Sequence, residues 1–175
     1  MKLLVVSDSH GDRDILVDLK QQFAGQIDAW FHCGDSELAA DDPLWQTYHV
    51  VGGNMDFDTG FKSQQVIAVG QYKVFLAHGH RYQIKQSLTA LALAAREVQA
   101  DFAFFGHSHE LGVIENDSTL FLNPGSISQP RGQYQSLGGT FAIVTIADSG
   151  DVTVTFHTRD GQVVDDLTQS FEKKA

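Results

Sequence analysis

The sequence predicts an α/β fold, and three observations predict it. Apolar, β-branched runs alternate with a segment of helical spacing in the first third of the chain, a βαβ rhythm. Each run gives out at a glycine beside Asp, His or Asn, the place where open α/β sheets carry ligand sites. The last third reads as strands joined by turn dipeptides. At 175 residues the chain is expected to be one domain, 1–175, long enough to bury a core without staples.

The first run, 2–7, is apolar on both faces, which suits a central strand of a covered sheet, and it ends at Asp8-Ser9-His10-Gly11. Residues 12–24 place Ile15, Leu16, Leu19 and Phe23 at helical spacing, with Gly25 as the stop. Asp12 and Asp14 favour the start of that helix through its dipole. Residues 28–33 form the next strand, ending at Gly34-Asp35, and 48–51 another, ending at Gly52-Gly53-Asn54. Runs 65–69 and 72–77 flank Gly70-Gln71 as a hairpin that ends at His78-Gly79-His80. Residues 84–100 carry the strongest helical stripe, through Leu88, Leu91, Ala92, Ala95 and Val98. A short strand, 102–105, leads into Gly106-His107-Ser108-His109. Strands follow at 112–115, 119–122, 140–147 and 152–157, with turns at Asn116-Asp117 and Ser149-Gly150. Fraying is expected from about Thr168, and Lys173-Lys174 is a short basic tail.

Composition excludes several classes. No apolar run is long enough to span a bilayer. The N-terminus has only a five-residue apolar run with an acid straight after it, so it reads as a strand and not a signal peptide. A single cysteine excludes an internal disulfide and fits a reducing compartment, so a cytoplasmic location is expected. A formal net charge of −10 argues against binding extended nucleic acid. It does not argue against a small anionic substrate if bound cations reverse the local field.

The chemistry-bearing residues sit at five strand ends: Asp8 and His10, Asp35, Asn54, His78, and His107 with His109. Seven Asp, His and Asn side chains are too many for one ordinary metal site and suit two. The set is rich in oxygen and imidazole, and Cys33 lies inside a strand-like run, which favours manganese, nickel, zinc, iron or cobalt in a catalytic site over a structural zinc knot. Asp8 and His10 are two apart at a strand end, so one metal can take both. His107 and His109 either face one metal or split between two. His32, His49 and His157 stand inside strand-like runs and read as hydrogen-bonded structural residues. Asp56 reads as a turn former or a partner of a ligand, and Asn123-Pro124-Gly125-Ser126 as a turn.

In this order, Asp8-x-His10, Gly34-Asp35, Gly53-Asn54-x-Asp56, His78-Gly79-His80 and Gly106-His107-Ser108-His109 resemble the calcineurin-like metallophosphoesterase family. Chain length and the later Asn123-Pro124-Gly125-Ser126 resemble its small, single-domain, YfcE-like phosphodiesterase branch, and the likeness runs from Asp8 to about Arg131. It implies a four-layer αββα sandwich of two mixed sheets flanked by helices, with a dinuclear centre. It gives Asp8, His10, Asp35 and His109 to one metal, and Asp35, Asn54, His78 and His107 to the other, with Asp35 bridging. Manganese is the preferred metal of the set. Asn54 and Arg131 are expected to contact substrate. One departure stands out: Met55 occupies the position where many relatives carry a histidine that protonates the leaving group. His80 is the expected substitute general acid.

The expected activity is hydrolysis of a small phosphate ester, most simply a diester, by in-line attack of a hydroxide bridging two divalent metals. The alternatives are a phosphomonoesterase or a non-catalytic protein-interaction scaffold on the same fold, as the similar retromer subunit illustrates. A scaffold has no reason to keep every ligand, and here every position is filled. An exposed sheet edge leaves a homodimer open.

Overall fold

A computed structural model of the chain describes residues 1–172; the basic tail at Lys173-Lys174 lies outside them. Two sheets stack face to face. The first is six-stranded: β1 (Lys2–Val6), β2 (Ala29–His32), β3 (Tyr48–Val50), β9 (Thr140–Ile146), β10 (Val152–Thr158) and β11 (Gln169–Phe171), in the order β11-β10-β9-β1-β2-β3. The second is five-stranded: β4 (Gln64–Val69), β5 (Tyr72–Ala77), β6 (Phe102–Phe104), β7 (Leu111–Asn116) and β8 (Thr119–Pro124), in the order β4-β5-β6-β8-β7. Both are mixed. β1 pairs parallel with β2 and β2 with β3, while β1 pairs antiparallel with β9. β5, β6 and β8 are parallel neighbours, with antiparallel β4 and β7 at the edges.

Strand periodicity builds the layers. Along β1, Leu3 and Val5 enter the core between the sheets, while Leu4 and Val6 turn to the outer face. There they meet Ile15, Leu16 and Leu19 of helix α1 (Arg13–Gln22). In the second sheet Phe102 and Phe104 point inward with Leu120 and Leu122. Ala103 and Phe121 point outward, toward Leu91 and Ala95 of helix α2 (Thr89–Glu97). The order helix, sheet, sheet, helix is the expected four-layer arrangement. Among the described residues no helix is long and apolar enough to cross a membrane.

Local chemistry moves several boundaries. Helix α1 starts as expected, with the Asp12 carboxylate accepting the Ile15 N–H at 3.2 Å. The helix expected over 84–100 is shorter at both ends. Ser87 Oγ accepts the Thr89 N–H at 3.2 Å, and Gln83 adopts a left-handed φ of 53°, so 84–88 turns instead of winding. At the other end Gln99 takes φ 55°, its N–H bonds Arg96 O, and the Ala100 N–H bonds Ala95 O. This is a Schellman closure, and Ala95 and Ala100 pack together behind it. The turn expected at Asn116-Asp117 falls one residue later, where Asp117 and Ser118 both have positive φ. Asn123 and Pro124 finish β8, so only Gly125-Ser126 turns. Gln169–Phe171 does not fray but pairs with β10 as an edge strand.

Candidate metal centre

β1, β2 and β3 run parallel in one sheet, and β5 and β6 run parallel in the other. Their carboxyl ends come to the same edge of the sandwich, and the loops that follow them hold one another. Asp8, His10 and Gly11 donate their N–H groups to the carbonyls of Gly34, Asp35 and Ser36, at 2.9–3.0 Å. The Gly106 N–H donates to His78 O at 3.0 Å. The Ser126 hydroxyl donates to Asp8 O at 2.8 Å, and Asn123 Nδ2 donates to Gly106 O at 2.9 Å. The Asn-Pro-Gly-Ser segment thus lies under the centre and ties both sheets' loops.

Five of the seven residues expected as ligands adopt left-handed backbone: Asp8, His10, Asp35, His107 and His109, with φ between 46° and 69°. Each such residue costs of order 1–3 kcal/mol and persists only where its surroundings over-determine it. The glycines beside them allow the crowding. A Cβ on Gly53 would overlap Asp35, and one on Gly106 would overlap Ser7 Oγ.

The side chains converge. His109 Nε2 lies 3.2 Å from Asp8 Oδ1 and 3.3 Å from His10 Nε2. His78 Nε2 lies 3.2 Å from Asp35 Oδ2 and 3.9 Å from Asp8 Oδ1. Donor atoms therefore form two groups, Asp8-His10-His109 and Asp8-Asp35-His78, each with its atoms within 4.8 Å of one another. Asp8 is common to both groups, whereas the resemblance implies Asp35 as the bridge.

Three imidazoles are oriented the same way. His78 Nδ1 faces Cys33 O at 2.8 Å, His109 Nδ1 faces Gln129 O at 2.7 Å, and His10 Nδ1 faces Glu37 Oε1 at 2.6 Å. Carbonyl and carboxylate oxygens only accept, so Nδ1 carries a proton in each ring and Nε2 is the nitrogen turned to the centre, where it can donate to a carboxylate when protonated or offer a lone pair when not. The carboxylates are handled similarly. Asp8 Oδ2 accepts from Ser7 Oγ at 2.5 Å and the His107 N–H at 3.2 Å, leaving Oδ1 free. Asp35 Oδ1 accepts the Met55 N–H at 2.7 Å, leaving Oδ2 toward His78. Asp8 Oδ1 and His78 Nε2 are buried without a hydrogen bond. Unpartnered buried donors of oxygen and nitrogen, with no thiolate among them, fit divalent cations.

Electrostatics agree with that. Burial works against charge on Asp8, yet His109, His78 and Ser7 together hold its carboxyl below the usual range. Asp35 is likewise held low, against its burial, by His78 and the Met55 N–H. Burial pushes the Cys33 thiol well up, which keeps it protonated and out of the donor set.

The remaining expected residues lie around this core. The His107 ring centroid is 5.2 Å from that of His78 and the His80 centroid is 5.4 Å from it. Asn54 is exposed in the loop between Gly53, packed on Asp35, and Met55, bonded to Asp35. Arg131 donates its backbone N–H to His109 O at 3.0 Å, and its side chain is exposed. Asp56 clamps two loops: it accepts from Ser36 Oγ, the Glu37 N–H and the Gly53 N–H. His32 does the same from beneath, between Ser9 Oγ at 3.0 Å and the Gly34 N–H at 3.1 Å. Sequence reading missed Glu37 and the Gln129 and Cys33 carbonyls. Glu37 follows the Gly-Asp motif by two residues and carried a faint signal; the carbonyls carried none.

Comparison with known proteins gives a consistent set. The model of the calcineurin-like phosphoesterase superfamily domain matches residues 1–149. The chain is similar to the probable metallophosphoesterase YsnB of Bacillus subtilis, 37% identical over 95% of this chain and 96% of that protein. A conserved uncharacterized protein from Streptococcus pneumoniae, a predicted phosphoesterase, superposes with a TM-score of 0.93 at 41% identity, over 98% of this chain and 97% of that one. The Entamoeba histolytica Vps29 structure complexed with Zn²⁺ superposes with a TM-score of 0.70 at 27% identity, over 98% and 97%.

Proposed function

The chain belongs to the calcineurin-like phosphoesterase superfamily, and from that premise we propose that it is a dinuclear-metal phosphodiesterase acting on a small phosphate ester. Asp8, His10, Asp35 and His109 hold one divalent metal; Asp35, Asn54, His78 and His107 hold the other, with manganese the proposed ion. The observation that carries this reading is the pair of buried atoms without a hydrogen bond, Asp8 Oδ1 and His78 Nε2, both in the Asp8-Asp35-His78 donor group. Bound there, two divalent ions supply a water-derived nucleophile at neutral pH and offset charge on the phosphoryl oxygens.

The chain's own residues do the rest. Nδ1–H bonds to Glu37, Cys33 and Gln129 fix three imidazoles so that Nε2 needs no reorganisation on binding. Asn54 and Arg131 contact the phosphoryl group. His80 protonates the departing oxygen in place of the histidine that Met55 replaces. Burial, His78 and Arg81 hold the His80 pKa below its ordinary value, so its protonated form is a stronger acid held by fewer molecules at neutral pH. A non-catalytic scaffold has no use for buried donor atoms left without partners.

The test measures hydrolysis of bis(p-nitrophenyl) phosphate before chelation, after it, and after adding back manganese, nickel or zinc. Activity is expected to vanish on chelation and return with metal. Turnover that survives both chelation and Asp35→Asn would overturn the dinuclear reading.

A further inference from the structure

A groove of about 700 Å³ leads away from the His107-Ser108-His109 loop across the outer face of the second sheet. Helix α2 begins only at Thr89 and leaves alternate residues of β7 exposed, while β8 beside it is buried along its length. Leu88 and Phe121 form one side of the groove, and Ile114, 55% exposed, stands on β7. Gly112 lies two residues before Ile114 on the same strand, opposite Asn123. It has an ordinary strand φ, and a Cβ built on it meets nothing within 4 Å. Glycine in a strand interior weakens the strand, and one use for it is the close approach of a ligand.

The end of the groove nearest the metal centre is cationic. Arg131 lines it, with its backbone bonded to His109 O. Lys85 lines it too. Among the described residues no hydrogen bond or ion pair engages either side chain, although the chain carries a net charge of −10 and Glu110 stands on the same rim. Two unpaired cations beside the centre, followed by an apolar trough, match an anionic phosphoryl group followed by an apolar substituent. A separate cleft, beside Gly53 and Asp56, is lined by His80 and Arg81.

We infer that this groove is the subsite for the non-leaving substituent of the phosphodiester, and that it selects a bulky, apolar-faced group such as an aryl or nucleoside moiety over a small alkyl one. The inference rests on the phosphodiesterase reading above. Lys85 and Arg131 hold the phosphoryl oxygens, while Leu88, Phe121, Gly112 and Ile114 take the ring.

Two substrates with one leaving group test it: phenyl p-nitrophenyl phosphate and methyl p-nitrophenyl phosphate. The metal-loaded protein should prefer the phenyl ester in kcat/KM by about tenfold or more. Gly112→Val fills the trough in a strand that accepts the side chain. It should abolish that preference by raising KM on the phenyl ester about tenfold more than on the methyl ester. Equal rates on both esters in the parent protein, or a preference that survives Gly112→Val, would overturn the inference. Binding of phenyl phosphate, followed by calorimetry, separates this subsite from the activity. If neither ester is hydrolysed, the phosphodiesterase reading falls. The subsite then stands if Gly112→Val weakens phenyl phosphate binding, and falls if affinity is unchanged.

Discussion

His78 Nε2 and Asp8 Oδ1 lie 3.9 Å apart, in side chains with no exposure, and neither atom has a hydrogen-bond partner. One comes from the end of β5 in the second sheet and the other from the end of β1 in the first. Leaving a buried polar atom unpaired costs about 1–3 kcal/mol. A cation held by these two residues would remove that cost and would bind only the folded chain. Manganese at about one hundred times its dissociation constant should therefore stabilise the protein by about 2.7 kcal/mol. That corresponds to a rise in melting temperature of about 5–10 °C. A thermal melt with and without chelator checks this, and Asp8→Asn should abolish the rise. A melting temperature indifferent to metal would remove the assignment.

His107 and His109 are one residue apart in sequence but meet different partners. His109 Nε2 closes on Asp8 and His10, whereas the His107 ring stands against His78 and His80. The pair is expected to act as a fork, one imidazole for each metal. His107→Ala and His109→Ala should each lose one ion per chain by metal analysis. Both should lower turnover by more than about 100-fold, the upper range for residues that merely orient ligands. Two ions and full activity in either variant would break the fork.

Much of this centre was legible in the sequence, because each strand announces its end with glycine beside Asp, Asn or His. The apolar alternation of β1 likewise foretold a strand covered on both faces. What could not be read is distance: nothing local says that the end of β5 folds against the end of β1, since that depends on how two sheets stack. The orienting carbonyls of Cys33 and Gln129 are backbone groups, which any residue type supplies. Helix α2 was over-extended because the stripe from Ile84 to Val98 is continuous in pattern. The Ser87 hydroxyl and the left-handed Gln99 override it. β11 was missed because Gln169-Ser170-Phe171 has a polar edge-strand composition with no alternation to detect.

His80 offers a sharper test of chemistry than any ligand. Its ring lies 5.4 Å from that of His78, and its Nδ1 is buried without a partner. A general acid matters most where the leaving group is a poor one, and such residues contribute roughly 10²–10⁴-fold. His80→Ala should slow hydrolysis of an alkyl diester by about 100-fold and of a p-nitrophenyl diester by less than about tenfold. Paired rate measurements decide it: equal losses on both substrates would give His80 a structural role instead.

His32 links the same loops to acid stability. It is completely buried, with Nδ1 accepting the Gly34 N–H and Nε2 facing Ser9 Oγ, an arrangement that suits a neutral ring. Burial pushes its pKa down to about 4, against the opposing pull of Asp56 and Asp8. Between the ordinary value of 6.5 and that folded value, the unfolded chain binds a proton that the folded chain refuses. Stability from His32 is therefore fully present above about pH 6.5 and is lost as the pH falls toward 4, by about 1.4 kcal/mol per unit. Over the whole window the loss is about 3 kcal/mol. Urea denaturation of the chelated protein at pH 7.5, 5.5 and 4.5 measures it. His32→Gln should be less stable at pH 7.5, because one of the two loop bonds weakens, yet its stability should fall less steeply with acid. Parallel pH profiles for parent and variant would mean that the neutral ring is not what holds the Ser9 and Gly34 loops together.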